Sequence, residues 1–279
     1  MKRRSFLPAA GATALALGSS AALSAAPLKG NLKQGACRWC YSKIPIEDFA
    51  KACAEMGLKS VDLPAPADWP VLKKYGLTPT MVPGPTSIRD GLNRKEAHAS
   101  IKEKMGPMIR AAKEAGAPHV IVFSGERKGM GDAEGLENCA IGLKQLMPLA
   151  EETGVQIVME LLNSKVNHPD YQCDKSAWGV ELCKQVNHPL FGLLYDIYHM
   201  QIMEGDIIRT IKDNHKYFFH YHTGGNPGRN ELDETQELYY PPIAKAIVET
   251  GFTGYFCHEF IPKRDPLTSL KEAVALCDV

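Results

Sequence analysis

The feature that most constrains this chain is an alternation of two kinds of segment. Short β-rich apolar runs recur eight times, at Gln34–Trp39, Ser60–Leu63, Thr78–Val82, His119–Gly125, Gln156–Leu162, Phe191–Tyr198, Tyr217–Thr223 and Tyr255–Ile261. Helix-like segments lie between them, among them Pro45–Met56, Arg94–Ala115, Ala133–Thr153, Ala177–Val186 and Pro241–Thr250. Gly57, Gly76, Gly116, Gly154 and Gly251 follow helical runs, where a left-handed C-terminal cap is expected. Asp132 is placed to cap the N-terminus of the helix after the fourth run. Alternating strands and helices imply parallel strands joined by crossovers. Eight such units at about 32 residues each match the ~250 residues of a (β/α)8 barrel, so a single α/β TIM barrel is expected over residues 27–279. A doubly wound open sheet would usually bring a Gly-rich dinucleotide fingerprint after its first strand, and none is present there.

Residues 1–26 read as a separate segment. Lys2, Arg3 and Arg4 form a basic patch, followed by Ser5-Phe6-Leu7 and a mildly apolar run of Ala, Gly, Leu, Ser and Thr up to Ala26. This is the layout of a cleavable export signal. Arg3-Arg4-Ser5-Phe6-Leu7 resembles a twin-arginine signal, which is read by a translocase that moves folded proteins. The location expected is therefore periplasmic or secreted. No later apolar stretch approaches the ~18–20 residues that span a bilayer, so no membrane partner is expected once the signal is removed. The chain has 32 basic and 32 acidic residues. Three of the basic ones and none of the acidic ones lie in the first 26 residues, which leaves the rest at a net charge of −3. Such a balance offers no global field for nucleic acid.

In a barrel of this kind, chemistry collects at the C-terminal ends of the strands. Four consecutive runs end in polar residues, through Glu160, Asp196, His220 and His222, and Glu259. Side chains alternate along a strand, so Val158 shares a face with Glu160, Leu194 with Asp196, His220 with His222, and Cys257 with Glu259. If that face is the interior, three carboxylates and an imidazole converge. Buried carboxylates cannot cluster unpaired, because desolvation and mutual repulsion oppose it. A divalent cation resolves the conflict. Three oxygen donors and one imidazole suit Mn²⁺ or Mg²⁺, with Co²⁺ or Zn²⁺ as further candidates.

Several sequence blocks then become recognisable together: Glu160-Leu-Leu-Asn163, Asp196-Ile-Tyr-His199-Met-Gln, His222-Thr-Gly-Gly-Asn-Pro-Gly-Arg229, Glu237-Leu-Tyr-Tyr-Pro and His258-Glu259. With these the chain resembles the xylose isomerase-like barrel superfamily, and within it the hydroxypyruvate isomerases and ketose 3-epimerases. The His-Thr-Gly at His222 is closer to the epimerases; hydroxypyruvate isomerases usually carry Gln there. The resemblance implies one divalent metal held by Glu160, Asp196, His222 and Glu259. It implies Glu160 and Glu259 as the proton-transfer groups, and His199 and Arg229 as binders of substrate oxygens. The activity implied is isomerisation or epimerisation of a hydroxypyruvate-like keto acid or a ketose, by loss and return of a proton beside a carbonyl. A lyase or dehydratase acting on a keto-sugar would use the same parts, and a periplasmic sugar-binding protein is the non-catalytic alternative.

The remaining features read more plainly. Trp39 is either an apolar wall for a sugar or a core residue. Cys37 and Cys40, on a strand end, would point to opposite faces and form no metal knuckle. Gly129-Met130-Gly131 is an ordinary turn, His220 a packed histidine below His222, and His258 structural. Loops Asn163–Lys175 and Thr223–Tyr239 lie at the right end of the barrel to act as lids. The expected partner is a small-molecule carbohydrate or keto acid, and assembly into a homo-oligomer is left open.

Overall fold

The computed structural model describes residues 28–279; the proposed export signal lies outside the described residues. Nine strand segments build one parallel sheet: β1 (Lys33–Cys37), β2 (Ser60–Asp62), β3 (Thr78–Pro79), β4 (Met81–Pro83), β5 (His119–Val122), β6 (Gln156–Leu161), β7 (Phe191–Asp196), β8 (Phe218–Thr223) and β9 (Tyr255–His258). Their order is β3-β2-β1-β9-β8-β7-β6-β5-β4. The two ends of that order, β3 and β4, are pieces of a single stave, the first pairing with β2 and the second with β5. The ring therefore closes as the eight-staved barrel expected. Pro79 and Pro83 lack the N–H a ladder needs, which accounts for the short pieces in this stave. Across the seam the Leu63 amide donates to the Met81 carbonyl at 2.7 Å.

Helices α1 (Ile46–Glu55), α2 (Trp69–Lys74), α3 (His98–Ala115), α4 (Asp132–Thr153), α5 (Ser176–Val186), α6 (Ile197–Met203), α7 (Ile207–Asn214), α8 (Tyr240–Glu249) and α9 (Pro266–Leu276) surround the ring. Gly116 and Gly154 end α3 and α4 in the left-handed conformation, as expected of helix-terminal glycines. Asp132 is the first residue of α4 rather than its cap, and its carboxylate accepts from Arg127 Nε at 2.8 Å.

Period-two alternation divides each stave between two environments. On β6, Ile157, Met159 and Leu161 face outward into the main core beneath the helices, while Val158 faces inward with Met81, Ile121 and Leu194. That inner plug fills the barrel below its mouth, so the next inward position on β6, Glu160, sits on an apolar floor. Staves buried on both faces explain why the runs in the sequence are almost continuously apolar. The segment at β1 and the C-terminal segment fasten the ring to each other: the Lys29 amide donates to the Asp278 carboxylate at 2.9 Å, and Gln34 Nε2 donates to the Val274 carbonyl of α9 at 3.1 Å.

Of the strand boundaries that move relative to the sequence expectation, three lie at candidate site residues. β1 ends at Cys37, and Trp39 lies in a 3-10 turn, Arg38–Tyr41, together with Cys40. The two cysteines therefore do not alternate on one strand; all eight cysteines are free. β7 ends at Asp196 and passes directly into α6, which places His199 on a helix rather than in a loop. β9 ends at His258, and Glu259 follows it, its amide donating to the Thr223 carbonyl at 3.0 Å.

The interior leaves no room at Gly35. A methyl group there would meet Cys257 Sγ at 2.6 Å and the Ser60 hydroxyl closer still. Gly35→Ala is expected to destabilise the barrel by about 1–3 kcal/mol through overpacking. The measurement is a urea titration, read as a lower midpoint at unchanged slope; an unshifted midpoint would show that the ring accommodates the methyl.

Candidate active site

The mouth of the barrel gathers Glu160 from β6, Asp196 from the end of β7, His222 from β8 and Glu259 beyond β9. One donor atom from each of the four lies within 4.8 Å of the others, and all four residues are buried. Register explains the convergence: Asp196 pairs with His222, and His222 with Cys257, two residues before Glu259. His222 Nδ1 faces Glu259 Oε2 at 2.7 Å and Glu160 Oε1 at 3.6 Å.

The other face of the His222 ring is held from below. Its Nε2 is 2.9 Å from Asp62 Oδ2, and the same carboxylate oxygen lies 2.5 Å from His220 Nε2. Asp62 ends β2, is fully buried and also accepts from the Thr80 hydroxyl. A carboxylate behind a ligating histidine fixes which nitrogen carries the proton and how the ring is aimed. The sequence reading missed Asp62. Its signal was there, since Ser60 and Asp62 share a face at the end of the second run, but a single carboxylate with no sequence neighbour of its kind did not stand out. His220 is packed and hydrogen-bonded as expected. His258 is tied to Gln34 Oε1 at 2.9 Å and to the Thr223 hydroxyl at 3.0 Å, away from the cluster.

Arg229 takes a different place from the one expected of a residue that contacts substrate alone. Its Nη2 lies 3.1 Å from Asp196 Oδ2 and also bonds Glu259 Oε2, so the guanidinium sits among the carboxylates. Its plane lies between two aromatic faces, 5.4 Å from the Trp39 centroid and 5.5 Å from that of Tyr198. The backbone aims it: Arg229 adopts φ 58°, and its carbonyl accepts from the Ile261 amide at 2.6 Å. Trp39 is not a core residue. It is 40% exposed at the mouth, and its Nε1–H donates to Glu259 Oε1 at 2.6 Å. The loop after β8 is fastened at its base, where Tyr240 Oη donates to the Gly224 carbonyl at 2.8 Å and accepts from its amide at 2.9 Å. A flank cavity of about 440 Å³ between residues 232–240 and α9 is not lined by Glu160, Asp196, His222, Arg229 or Glu259.

Electrostatics separates the three carboxylates. Burial pushes Asp196 up to about 7, against the pull of Arg229, and burial also raises Glu160, with Glu259 adding to the effect. Glu259 is just as buried, yet Arg229, His222 and the Trp39 N–H hold its carboxyl well below the usual carboxylate range. Burial, reinforced by Arg229, drives His199 well below the ordinary imidazole value.

The donor set fits a divalent cation. At an effective dielectric of ~20, two like charges 4.8 Å apart repel by roughly 3–4 kcal/mol, and three carboxylates, if all ionised, would make three such pairs. Arg229 contributes one positive charge. His222 Nδ1 is fully buried and lies 2.7 Å from Glu259 Oε2 without the angle of a hydrogen bond, directed with Glu160 at a common point, as a nitrogen in a metal-ligand set would be.

The chain is similar in sequence and fold to known proteins. The family profile described as "Xylose isomerase-like TIM barrel" matches residues 28–278. A human protein named "Putative hydroxypyruvate isomerase" is 27% identical over 238 residues, covering 83% of this chain and 80% of that protein. The 2-oxo-tetronate isomerase of Pectobacterium atrosepticum is 23% identical, over 80% of this chain and 89% of its own length. Among solved structures, an AP endonuclease, family 2, from Brucella melitensis superposes with a TM-score of 0.74 at 23% identity, covering 86% of this chain and 97% of that one, a likeness of fold alone. The chain thus belongs to the xylose isomerase-like TIM barrel family, and it is an enzyme of the isomerase or epimerase type.

Proposed function

We propose that the protein isomerises or epimerises a small hydroxy-carbonyl compound, a ketose or a keto acid, by moving a proton between two glutamates and the substrate. The carrying observation is the placement of Glu160 and Glu259. They come from opposite ends of the four staves β6 to β9 and meet at the same imidazole nitrogen, so a substrate between them has a carboxyl group on each side. Asp196 differs: one of its oxygens caps α6 by accepting from the His199 amide at 3.1 Å, which suits it to a fixed role as ligand.

Glu160, Asp196, His222 and Glu259 would hold the divalent ion, which supplies stabilisation for negative charge developing on adjacent carbonyl and hydroxyl oxygens. One glutamate carboxylate takes the proton from the carbon beside the carbonyl, and the C–H electron pair becomes the enediolate double bond. The other glutamate, as its carboxylic acid, returns a proton. Delivery to the neighbouring carbon gives the isomer; delivery to the opposite face of the same carbon gives the epimer. The raised carboxyl of Glu160 beside the depressed one of Glu259 supports such a division between acid and base. Asp62 holds His222 in register from beneath, and Trp39 narrows the mouth against water.

The test is incubation of the ion-loaded domain in D2O with a panel of ketoses and keto acids. Deuterium is expected at the carbon beside the carbonyl of the true substrate, and the products distinguish isomer from epimer. Binding without any deuterium incorporation would reduce the protein to a sugar-binding module. Glu160→Gln and Asp196→Asn should each sharply lower ion content by metal analysis, and unchanged occupancy in both would refute the ligand set.

Ion affinity should also rise with pH through the neutral range. Asp196 at about 7 and the raised Glu160 hold protons that an ion must expel. Each expelled proton weakens apparent affinity by up to about tenfold per unit fall in pH below the group's pKa. Calorimetric titration in buffers of different protonation enthalpy reads that release directly; affinity independent of pH around neutrality would contradict it.

We also propose export through Arg3-Arg4-Ser5-Phe6-Leu7. Replacing both arginines by lysine should leave the precursor in the cytoplasm by cell fractionation, and normal export of that variant would point to another route.

A further inference from the structure

His199 is fully buried, and its two ring nitrogens have opposite surroundings. Nδ1 lies 3.2 Å from the backbone N of Asn163 and 2.5 Å from the Asn163 side-chain Nδ2. Nε2 has no hydrogen-bond partner and points toward the cluster, with Asp196 Oδ2 at 3.7 Å.

The amide of Asn163 can be oriented in only one way. Its Oδ1 accepts from the backbone amides of Val166 at 3.1 Å and Asn167 at 2.8 Å, which closes the turn after β6. Exchanging O and N would turn an NH2 group against two N–H donors. Nδ2 is therefore the atom facing His199, and it also donates to Asn167 Oδ1 at 2.7 Å. Two donors converge on Nδ1, so that nitrogen must present its lone pair. A neutral imidazole with an acceptor at Nδ1 carries its proton on Nε2.

We infer that Asn163 is a positioning residue that locks His199 as the Nε2–H tautomer, making His199 a hydrogen-bond donor to the substrate's carbonyl oxygen rather than a base or a fifth ion ligand. The lock comes from the rigid turn after β6, next to Glu160 on the same stave. The α6 cap fixes the other end of the arrangement, since the His199 amide is held by Asp196. A neutral donor aimed at the oxygen on which charge develops stabilises that charge without surrendering its own proton. The inference rests on the proposed function only in assigning that oxygen to a substrate carbonyl; the tautomer stands apart from it.

The experiment uses ¹⁵N-histidine-labelled, ion-loaded protein, with the His199 signals assigned by their loss in His199→Gln. Long-range ¹H–¹⁵N spectra without substrate should show Nε2 protonated and Nδ1 unprotonated. Asn163→Asp keeps an oxygen for the two turn amides but replaces the Nδ2 donor with an acceptor. It should move the proton to Nδ1 and lower the rate of deuterium incorporation by about 10²–10³-fold, the cost of losing one such donor, at unchanged ion content. Asn163→Ala leaves the backbone N–H in place and should keep the Nε2–H tautomer with a smaller loss, up to about tenfold for one neutral hydrogen bond. A wild-type spectrum with the proton on Nδ1, or an Asn163→Asp variant with Nε2–H and an undiminished rate, would overturn the assignment. If the spectra behave as described while wild-type protein incorporates no deuterium, the functional reading fails and the tautomer assignment survives.

Discussion

Three carboxylates and one imidazole share a buried space less than 5 Å across, and most of what surrounds them exists to make that tolerable. Repulsion of a few kcal/mol per pair, added to the cost of desolvation, would prise the mouth open in a flexible structure. Here three of the four are anchored by neighbours. Asp62 holds His222, the amide of His199 holds Asp196, and the Trp39 indole holds Glu259. Beneath them the plug of Met81, Ile121, Val158 and Leu194 denies the charged groups any retreat into the barrel. The fold acts as a rigid frame that keeps an unfavourable charge arrangement in a single geometry.

Much of this was legible in the sequence because strand periodicity is strict. Once the runs at 156–162, 191–198 and 217–223 are recognised as staves, alternation alone places Glu160, Asp196 and His222 on the inner face. Register then brings them together without any knowledge of the loops. The third stave was harder to read, since prolines at 79 and 83 break its ladder into fragments of two and three residues. Glu259 was assigned to a strand and lies past its end. The error was harmless because the chain stays extended long enough for its amide to bond the neighbouring stave.

What escaped the sequence depends on long-range partnership. Asp62 lies 160 positions before His222, and only closure of the ring makes them neighbours. Trp39 was left undecided between wall and core, because its fate hinges on where β1 stops and a 3-10 turn begins, a difference of two residues. Arg229 was expected to reach toward substrate, and no local pattern could have revealed that the carboxylates themselves would attract it. The type of residue needed at a strand end is written locally; the partner that orients it is not.

The guanidinium of Arg229, sandwiched between Trp39 and Tyr198 and bonded to two of the carboxylates, gives the molecule an internal counter-ion. Its single positive charge offsets part of the repulsion between the carboxylates it touches. The mouth is thus able to assemble from the chain's own residues, with an arginine holding Asp196 and Glu259 at their spacing.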